Sequence, residues 1–271
     1  MEYIVFDLEF NQSVKKKENR TNKEKLCPFE IIQLGAVKLN SDLKLIDTFD
    51  SFVKPSLYHE IHPYVSKITG IKISDISDAP SFDKVFKEFV KFISDSDSIL
   101  CIWGKSDIKE IYRNASLHKL SCEKIPKSYI DVQMYASKLI NGSSNQSVGL
   151  EKAVNHFGLS DSVSYHNALN DAYYTAKVFS HIYNSSMSPQ LYVYSGISSD
   201  DIYGLDPYDE DSFSEACSLF VKTLNRELTK DEKNIISMAQ YIKYDIDEHE
   251  IKQRIKSRKN RKKKQKPNFH K

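Results

Sequence analysis

The 271-residue sequence has no apolar run of the ~18–20 residues needed to cross a bilayer, which argues against an integral membrane protein. Its first residues, Met1-Glu2-Tyr3-Ile4, lack the basic segment and apolar stretch of a signal peptide. Its four cysteines, Cys27, Cys101, Cys122 and Cys217, lie far apart with no CxxC pair. That spacing speaks against a disulfide scaffold or a thiolate zinc site, and it fits a reducing, cytoplasmic compartment. No internal repeat is visible. One stretch combines dense basic charge with no acid: Lys252–Lys271 holds eight Lys, three Arg and no Asp or Glu. The whole chain carries +2, so a tail of +11 leaves −9 on residues 1–251. A mildly acidic body with a strongly basic tail points to a polyanionic partner. The 40% hydrophobic content is enough for a sizeable core and excludes a wholly disordered chain.

Tyr3-Ile4-Val5-Phe6 has the length and the β-branched, aromatic content of a buried strand. Residues 13–28 read as a polar, basic loop closed by Pro28. Ile31–Val37 reads as a second strand and Thr48–Val53 as a third, stopped before Pro55, and short connections suggest an antiparallel meander. Phe82, Val85, Phe86, Phe89, Val90 and Ile93 follow the spacing of one buried helical face. Ser98–Trp103 is expected as a fourth strand. Helices are expected around Ile108–Ala115, over Leu150–Phe157, and from Ala168, with Asn167 as N-cap. Strands followed by alternating helix and strand argue for a mixed sheet flanked by helices. The texture changes after about residue 183, and a boundary is expected near residue 186. The expected organisation is a domain over 1–185, a helical extension over 186–251 and a basic, disordered tail over 252–271. Within the extension, Asp200–Asp211 reads as an acidic loop, Phe213–Leu224 and Ile235–Ile246 as helices, and Thr229-x-x-Glu232 as a capping box.

Asp7 and Glu9 follow the apolar run of the first strand, and residues i and i+2 of a strand point to one face. Two acids side by side on a strand bound for the core repel each other and are costly to desolvate. A divalent cation between them removes both penalties, because hard cations take oxygen ligands. The bland alternative is a strand end reaching solvent. Asp107 opens a helix after Trp103-Gly104, where the helix dipole alone would favour an acid. His166 falls in the loop before Asn167, and Asp171 inside the helix that follows. An acid in that alanine-rich, core-facing segment is odd for a purely structural residue, whereas a lone loop histidine is ordinary.

Taken together, these pieces resemble the DEDDh exonucleases of the DnaQ-like, ribonuclease-H-type superfamily. The stretches that carry the resemblance are Phe6-Asp7-Leu8-Glu9-Phe10, Trp103-Gly104-Lys105-Ser106-Asp107 and His166-Asn167-Ala168-Leu169-Asn170-Asp171-Ala172. Glu30–Val37, Phe52-Val53-Lys54-Pro55, Ile68-Thr69-Gly70-Ile71 and Gly149-Leu150 also look familiar, and the likeness covers about residues 1–183. The Trp-Gly before Asp107 and the loop-bearing first hairpin look closest to the RNA 3′-end trimming exonucleases and their bacterial KapD-type relatives. The C-terminal extension has no match in that subgroup. Asn170-Asp171 stands where an acidic pair is commoner.

The resemblance implies a ribonuclease-H-like mixed sheet, with three antiparallel strands followed by parallel ones. It implies phosphodiester hydrolysis from 3′ ends with two Mg²⁺ or Mn²⁺ ions ~4 Å apart, yielding nucleoside 5′-monophosphates. Asp7, Glu9 and Asp171 would hold one ion, and Asp7 would bridge to a second supported by Asp107. His166 would take the proton of the attacking water, a task suited to imidazole chemistry near neutral pH. Phe10 would wedge against the terminal base or serve core packing, and the same two readings stand open for Trp103 beside the site. The basic loop with Lys15, Lys16 and Lys17 would touch substrate phosphates or be merely solvated. The basic tail would add non-specific phosphate affinity through counterion release. Nucleic acid with single-stranded 3′ ends, RNA over DNA, is thus the expected partner, with no membrane role. The competing classes are a scaffold that uses an exonuclease-like fold to bind a partner, and a nucleic-acid-binding module dominated by the tail.

Overall fold

The structure is a computed structural model. It describes residues 1–16, 19–93, 98–142 and 146–192, and further on 217–218, 220–221, 225–229, 232–233 and 236. The chain divides into two compact units, Met1–Tyr194 and Ser195–Lys271.

The first unit is built on a six-stranded sheet. Strand β1 (Glu2–Gln12) leads into a short helix α1 (Asn22–Leu26), then β2 (Phe29–Leu39) and β3 (Leu45–Phe52). Helices α2 (Pro63–Thr69), α3 (Ile73–Ile76) and α4 (Phe82–Ile93) precede β4 (Ser98–Ile102) and α5 (Ser106–Leu117). Strand β5 (Ser128–Asp131) runs into α6 (Val132–Asn141), followed by α7 (Leu150–His156), α8 (Ala168–Ile182) and β6 (Gln190–Leu191). The strand order is β3-β2-β1-β4-β5-β6. The β1–β2 and β2–β3 pairs are antiparallel, β1–β4 and β4–β5 are parallel, and β5–β6 is antiparallel. The expected mixed sheet is therefore present, with β1 central.

Period-2 alternation along β1 sorts its side chains onto two faces. Ile4, Phe6 and Leu8 join one core cluster with Val85, Phe86 and Phe89 of α4 and Ile108 and Ile111 of α5. Tyr3 and Val5 join the other, with Ala172, Ala176 and Phe179 of α8 and Ala136 of α6. Continuing the alternation places Asp7 and Glu9 on the α8 face, past the apolar residues that anchor the strand. The β1–β2 register shifts between Glu9 and Phe10: Glu9 pairs with Gln33 but Phe10 pairs with Ile31, leaving Ile32 as the extra residue. Bulges of this kind increase local twist and re-aim side chains, and this one follows directly on the second acid.

Several elements differ from the sequence expectation. Strand β1 runs on to Gln12, well past its apolar run, and carries both acids as expected. Part of the 13–28 segment is helical, because Thr21 and Glu24 form a capping box around α1. Strand β5 and helix α6 were not legible: β5 has four residues, and its Asp131 is already the N-cap of α6. In the second unit, the Thr229–Glu232 capping box is present as reciprocal bonds, with Glu232 N–H to Thr229 Oγ1 at 3.2 Å and Thr229 N–H to Glu232 Oε2 at 2.8 Å. The Asp200–Asp211 loop, most of the two expected C-terminal helices and the 252–271 tail lie outside the described residues.

Phe89 is 1% exposed and packs its ring against Phe6 and Phe49, both with centroids 5.8 Å away. Phe89→Ala is expected to cost about 3–5 kcal/mol by chemical denaturation. A loss below ~1 kcal/mol would mean that α4 is not the cover of this sheet face.

Candidate active site

The α8 face of β1 presents Asp7 and Glu9, and the first turns of α8 bring Asp171 to them. One carboxylate oxygen from each of the three lies within 4.8 Å of the others. All three residues are half-buried, whereas Asp107, in the first turn of α5, is buried at 6% exposure. Asp107 is close enough to be the second largest cause, after burial, of the upward pKa shift of Asp7. The four carboxylates of the sequence pattern thus converge, although Asp107 stands outside the tightest group of three.

The convergence depends on how α8 begins. Asn167 caps the helix, its Oδ1 accepting from Asn170 N–H at 3.2 Å. His166, in the loop just before it, has φ +63°, a left-handed conformation uncommon for a residue with a side chain. That conformation aims the His166 N–H at Asp171 Oδ2, 3.2 Å away. The other oxygen, Asp171 Oδ1, is buried and has no hydrogen-bond partner among the described residues. Gly35, the register partner of Asp7, makes room for the helix start. A Cβ on Gly35 would sit 2.1 Å from Leu169 N and 2.2 Å from Ala168 C, distances no side chain tolerates. Gln33, the register partner of Glu9, accepts from Ala168 N–H at 3.2 Å. On α5, Asn114 accepts from Ile31 N–H at 3.1 Å and donates to Phe29 O at 2.9 Å, tying the helix that carries Asp107 to β2.

Electrostatically, the site is unfavourable to itself. Burial, then Asp107, Asp171 and Glu9, hold the Asp7 carboxyl well above the usual carboxylate range. Burial, then Asp171, pushes Glu9 up to about 7. Burial, then Glu9, pushes Asp107 up to about 8. Asp171 is raised by burial, partly offset by the His166 N–H bond. Four carboxyls that resist ionisation, one with an orphaned buried oxygen, fit a divalent cation. The donor set is all oxygen, as Mg²⁺ or Mn²⁺ prefers, and two such charges would supply what the protein does not.

The other expected site residues divide. Trp103 is half-buried against the α8-side cluster, and its indole N–H is buried without a partner among the described residues. Phe10 packs against the α4/α5-side cluster and lies 6.1 Å from the Phe29 ring, which is the packing role. Lys15 Nζ is held 3.2 Å from Glu24, so its charge is shared within the loop. Lys16 is exposed, and Lys17 lies outside the described residues. Sequence reasoning missed Gln33 and Gly35 as residues of the site. Their signal was a polar residue and a glycine, two apart, inside the apolar run Glu30–Val37.

Comparison with known proteins bears on the family and the fold. The exonuclease family model (RNase_T) matches residues 4–179. A PolC-type DNA polymerase III from Thermotoga maritima is 30% identical over 150 residues, which cover 55% of this chain and 10% of that one. The probable 3′-5′ exonuclease KapD of Bacillus subtilis is 22% identical over 178 residues, covering 65% of this chain and 82% of the relative. This chain therefore spans only a small part of the polymerases it matches, but most of KapD. The nuclease domain of 3′hExo, a DEDDh family member solved with rAMP, has a TM-score of 0.59 at 18% identity, covering 71% of this chain and 96% of that one. A 3′-exonuclease solved in histone mRNA stem-loop recognition also reaches 0.59, at 17% identity, with 70% and 84% covered. The chain belongs to the exonuclease family, and its fold is that of the DEDDh enzymes.

The raised carboxyls make a prediction with a definite sign. Because the folded protein holds more protons than the unfolded chain above pH ~4, the metal-free protein loses stability as pH rises toward 7–8. Asp7→Asn removes one of these repelling charges. In EDTA at pH 8 it is expected to raise Tm by at least about 2–4 °C, the shift that roughly 1 kcal/mol produces in a domain of this size. At pH 5 the two proteins should converge. A lower Tm for the variant at both pH values would contradict the electrostatic account.

Proposed function

We propose that this exonuclease-family chain removes nucleotides from single-stranded 3′ ends in a metal-dependent reaction, RNA in preference to DNA, releasing nucleoside 5′-monophosphates. The observation that carries this reading is the grouping of Asp7, Glu9 and Asp171 within 4.8 Å beside the buried Asp107. Asp7, Glu9 and Asp171 would hold one Mg²⁺ or Mn²⁺, and Asp7 and Asp107 would support a second. Cations bound there supply positive charge to the scissile phosphate and acidity to water. The chain's own contribution is positional and acid–base. Asp171 is held by the His166 N–H, so the loop that carries the proton-accepting imidazole is tied to the carboxylate cluster it serves. His166 thus has two separable parts: a backbone N–H that orients Asp171, and a side chain that takes the proton of the attacking water.

Substrate affinity is assigned to the exposed Lys16, to Lys17 and to the basic tail, with Lys15 contributing less because Glu24 shares its charge. Trp103, whose indole N–H lacks a partner among the described residues, is assigned to the terminal nucleotide. Phe10, packed against the α4/α5-side cluster and the Phe29 ring, is assigned to packing. The rAMP-bound and histone-mRNA-recognising neighbours support RNA, while the PolC-type relatives make DNA the competing substrate. The widely spaced cysteines are assigned to a reducing, cytoplasmic compartment. Among the described residues, no helix is long and apolar enough to cross a membrane.

The test uses matched RNA and DNA oligomers with labelled 5′ ends, so that shortening from the 3′ end is read by length. A ladder that needs Mg²⁺ or Mn²⁺, runs faster on RNA and disappears in EDTA is expected. Asp7→Asn should lose at least ~100-fold, since even outer-shell changes at metal sites cost 10–100-fold. His166→Asn, which tolerates the left-handed backbone, should lose about 10²–10⁴-fold in rate while still binding Mn²⁺. Degradation that survives EDTA, or an Asp7→Asn protein as fast as wild type, would sink this function and leave a scaffold role.

A further inference from the structure

Gln33 is 1% exposed in the middle of β2, yet its amide is not a passenger of the core. Nε2 donates to Asp50 Oδ1 on β3 at 2.9 Å. Oε1 faces the opposite way and accepts from Ala168 N–H at 3.2 Å and Asn167 Nδ2 at 3.4 Å. Chemistry fixes this orientation: a carboxylate can only accept and a backbone N–H can only donate, so the amide cannot be turned around. The first N–H groups of a helix have no partner within it. In α8, the Asn170 N–H is satisfied locally by Asn167, but the Ala168 N–H is satisfied from the sheet. Gln33 is therefore a side-chain clip between β2 and the start of α8, and Gly35 is the seat on which that start rests.

We infer that Gln33, oriented by Asp50, is a positioning residue that fixes the first turn of α8 and so holds Asp171 against Asp7 and Glu9. Three residues separate Ala168 from Asp171, a rise of ~4.5 Å along a rigid helix, so a shift at the clipped end passes undiminished to the carboxylate. Asp171 has little freedom to compensate, because Oδ2 is bound to the His166 N–H. Neither Gln33 nor Asp50 belongs to the group of carboxylates that would meet the cation. Their effect is indirect, transmitted through the helix. The inference rests on the metal-dependent function proposed above.

The experiment measures Mn²⁺ affinity by calorimetry together with amide hydrogen exchange at Ala168 in EDTA, on the full chain. Gln33→Met keeps the side-chain length and removes all three hydrogen bonds of the amide. It is expected to weaken Mn²⁺ binding about 10–100-fold, as loss of an outer-shell partner does, and to speed Ala168 exchange at least ~10-fold. Asp50→Ala lies on an exposed strand, where folding is not at risk, and should weaken Mn²⁺ about two- to tenfold, the scale of one ordinary hydrogen bond. Asp50→Asn removes the same charge but keeps an oxygen to accept from Gln33, so it should stay within about twofold of wild type. Gln33→Met with wild-type affinity, weaker Mn²⁺ binding without faster Ala168 exchange, or Asp50→Asn as impaired as Asp50→Ala would each overturn the inference. A wild-type protein that neither binds Mn²⁺ nor shortens 3′ ends would instead overturn the function itself, and the positioning role with it.

Discussion

Mutual repulsion among four buried or half-buried carboxylates is the constraint on which this structure depends. Burial raises the free energy of each charged form, and each neighbour raises it further, so the site holds its acids above their ordinary range. No folding advantage of the metal-free protein explains such an arrangement, since burying like charges side by side costs free energy. The arrangement would become favourable on binding the cations proposed for it. The destabilised metal-free site and the metal-binding site are one property seen under two conditions.

The rest of the scaffold supplies rigidity against that repulsion. Strand β1 is central to the sheet: β4 pairs with it from Glu2 to Val5, and β2 pairs with it on through Asp7 and Glu9. The β-bulge after Glu9 ends the regular β1–β2 register just beyond the second acid. Helix α5 is fastened to β2 through Asn114, and α8 through Gln33 and the gap left by Gly35. Each carboxylate-bearing helix is thus bound to the strand that pairs with β1. Without those ties, the repelling carboxylates could lower their energy by moving the helices apart.

Much of this was legible in the sequence, for identifiable reasons. The i, i+2 spacing of Asp7 and Glu9 encodes a shared strand face, and the periodicity of Phe82–Ile93 marks α4 with the bounds observed. Asn167 signals the start of α8. What was not legible involves residues whose roles come from partners distant in sequence. Gln33 meets Ala168 across 135 positions, and Asn114 meets Ile31 across 83, so neither bond leaves a local pattern. Lys15 looked like a substrate contact because the loop was read as charge alone. The capping box of Thr21 and Glu24 instead folds an acid back onto it. Strand β5 escaped because four residues carry too little periodicity to separate from the helix that follows.

The most direct measurement of the central claim is the number of protons released when Mn²⁺ binds. It is obtained by calorimetry in buffers of differing ionisation enthalpy at pH 6 and pH 8. With Glu9 raised to about 7 and Asp107 to about 8, the metal-free site holds protons at pH 6 that a cation must expel. The account predicts release of about one or more protons per site at pH 6, less at pH 8, and tighter binding at the higher pH. Binding with no proton release and equal affinity at both pH values would contradict it.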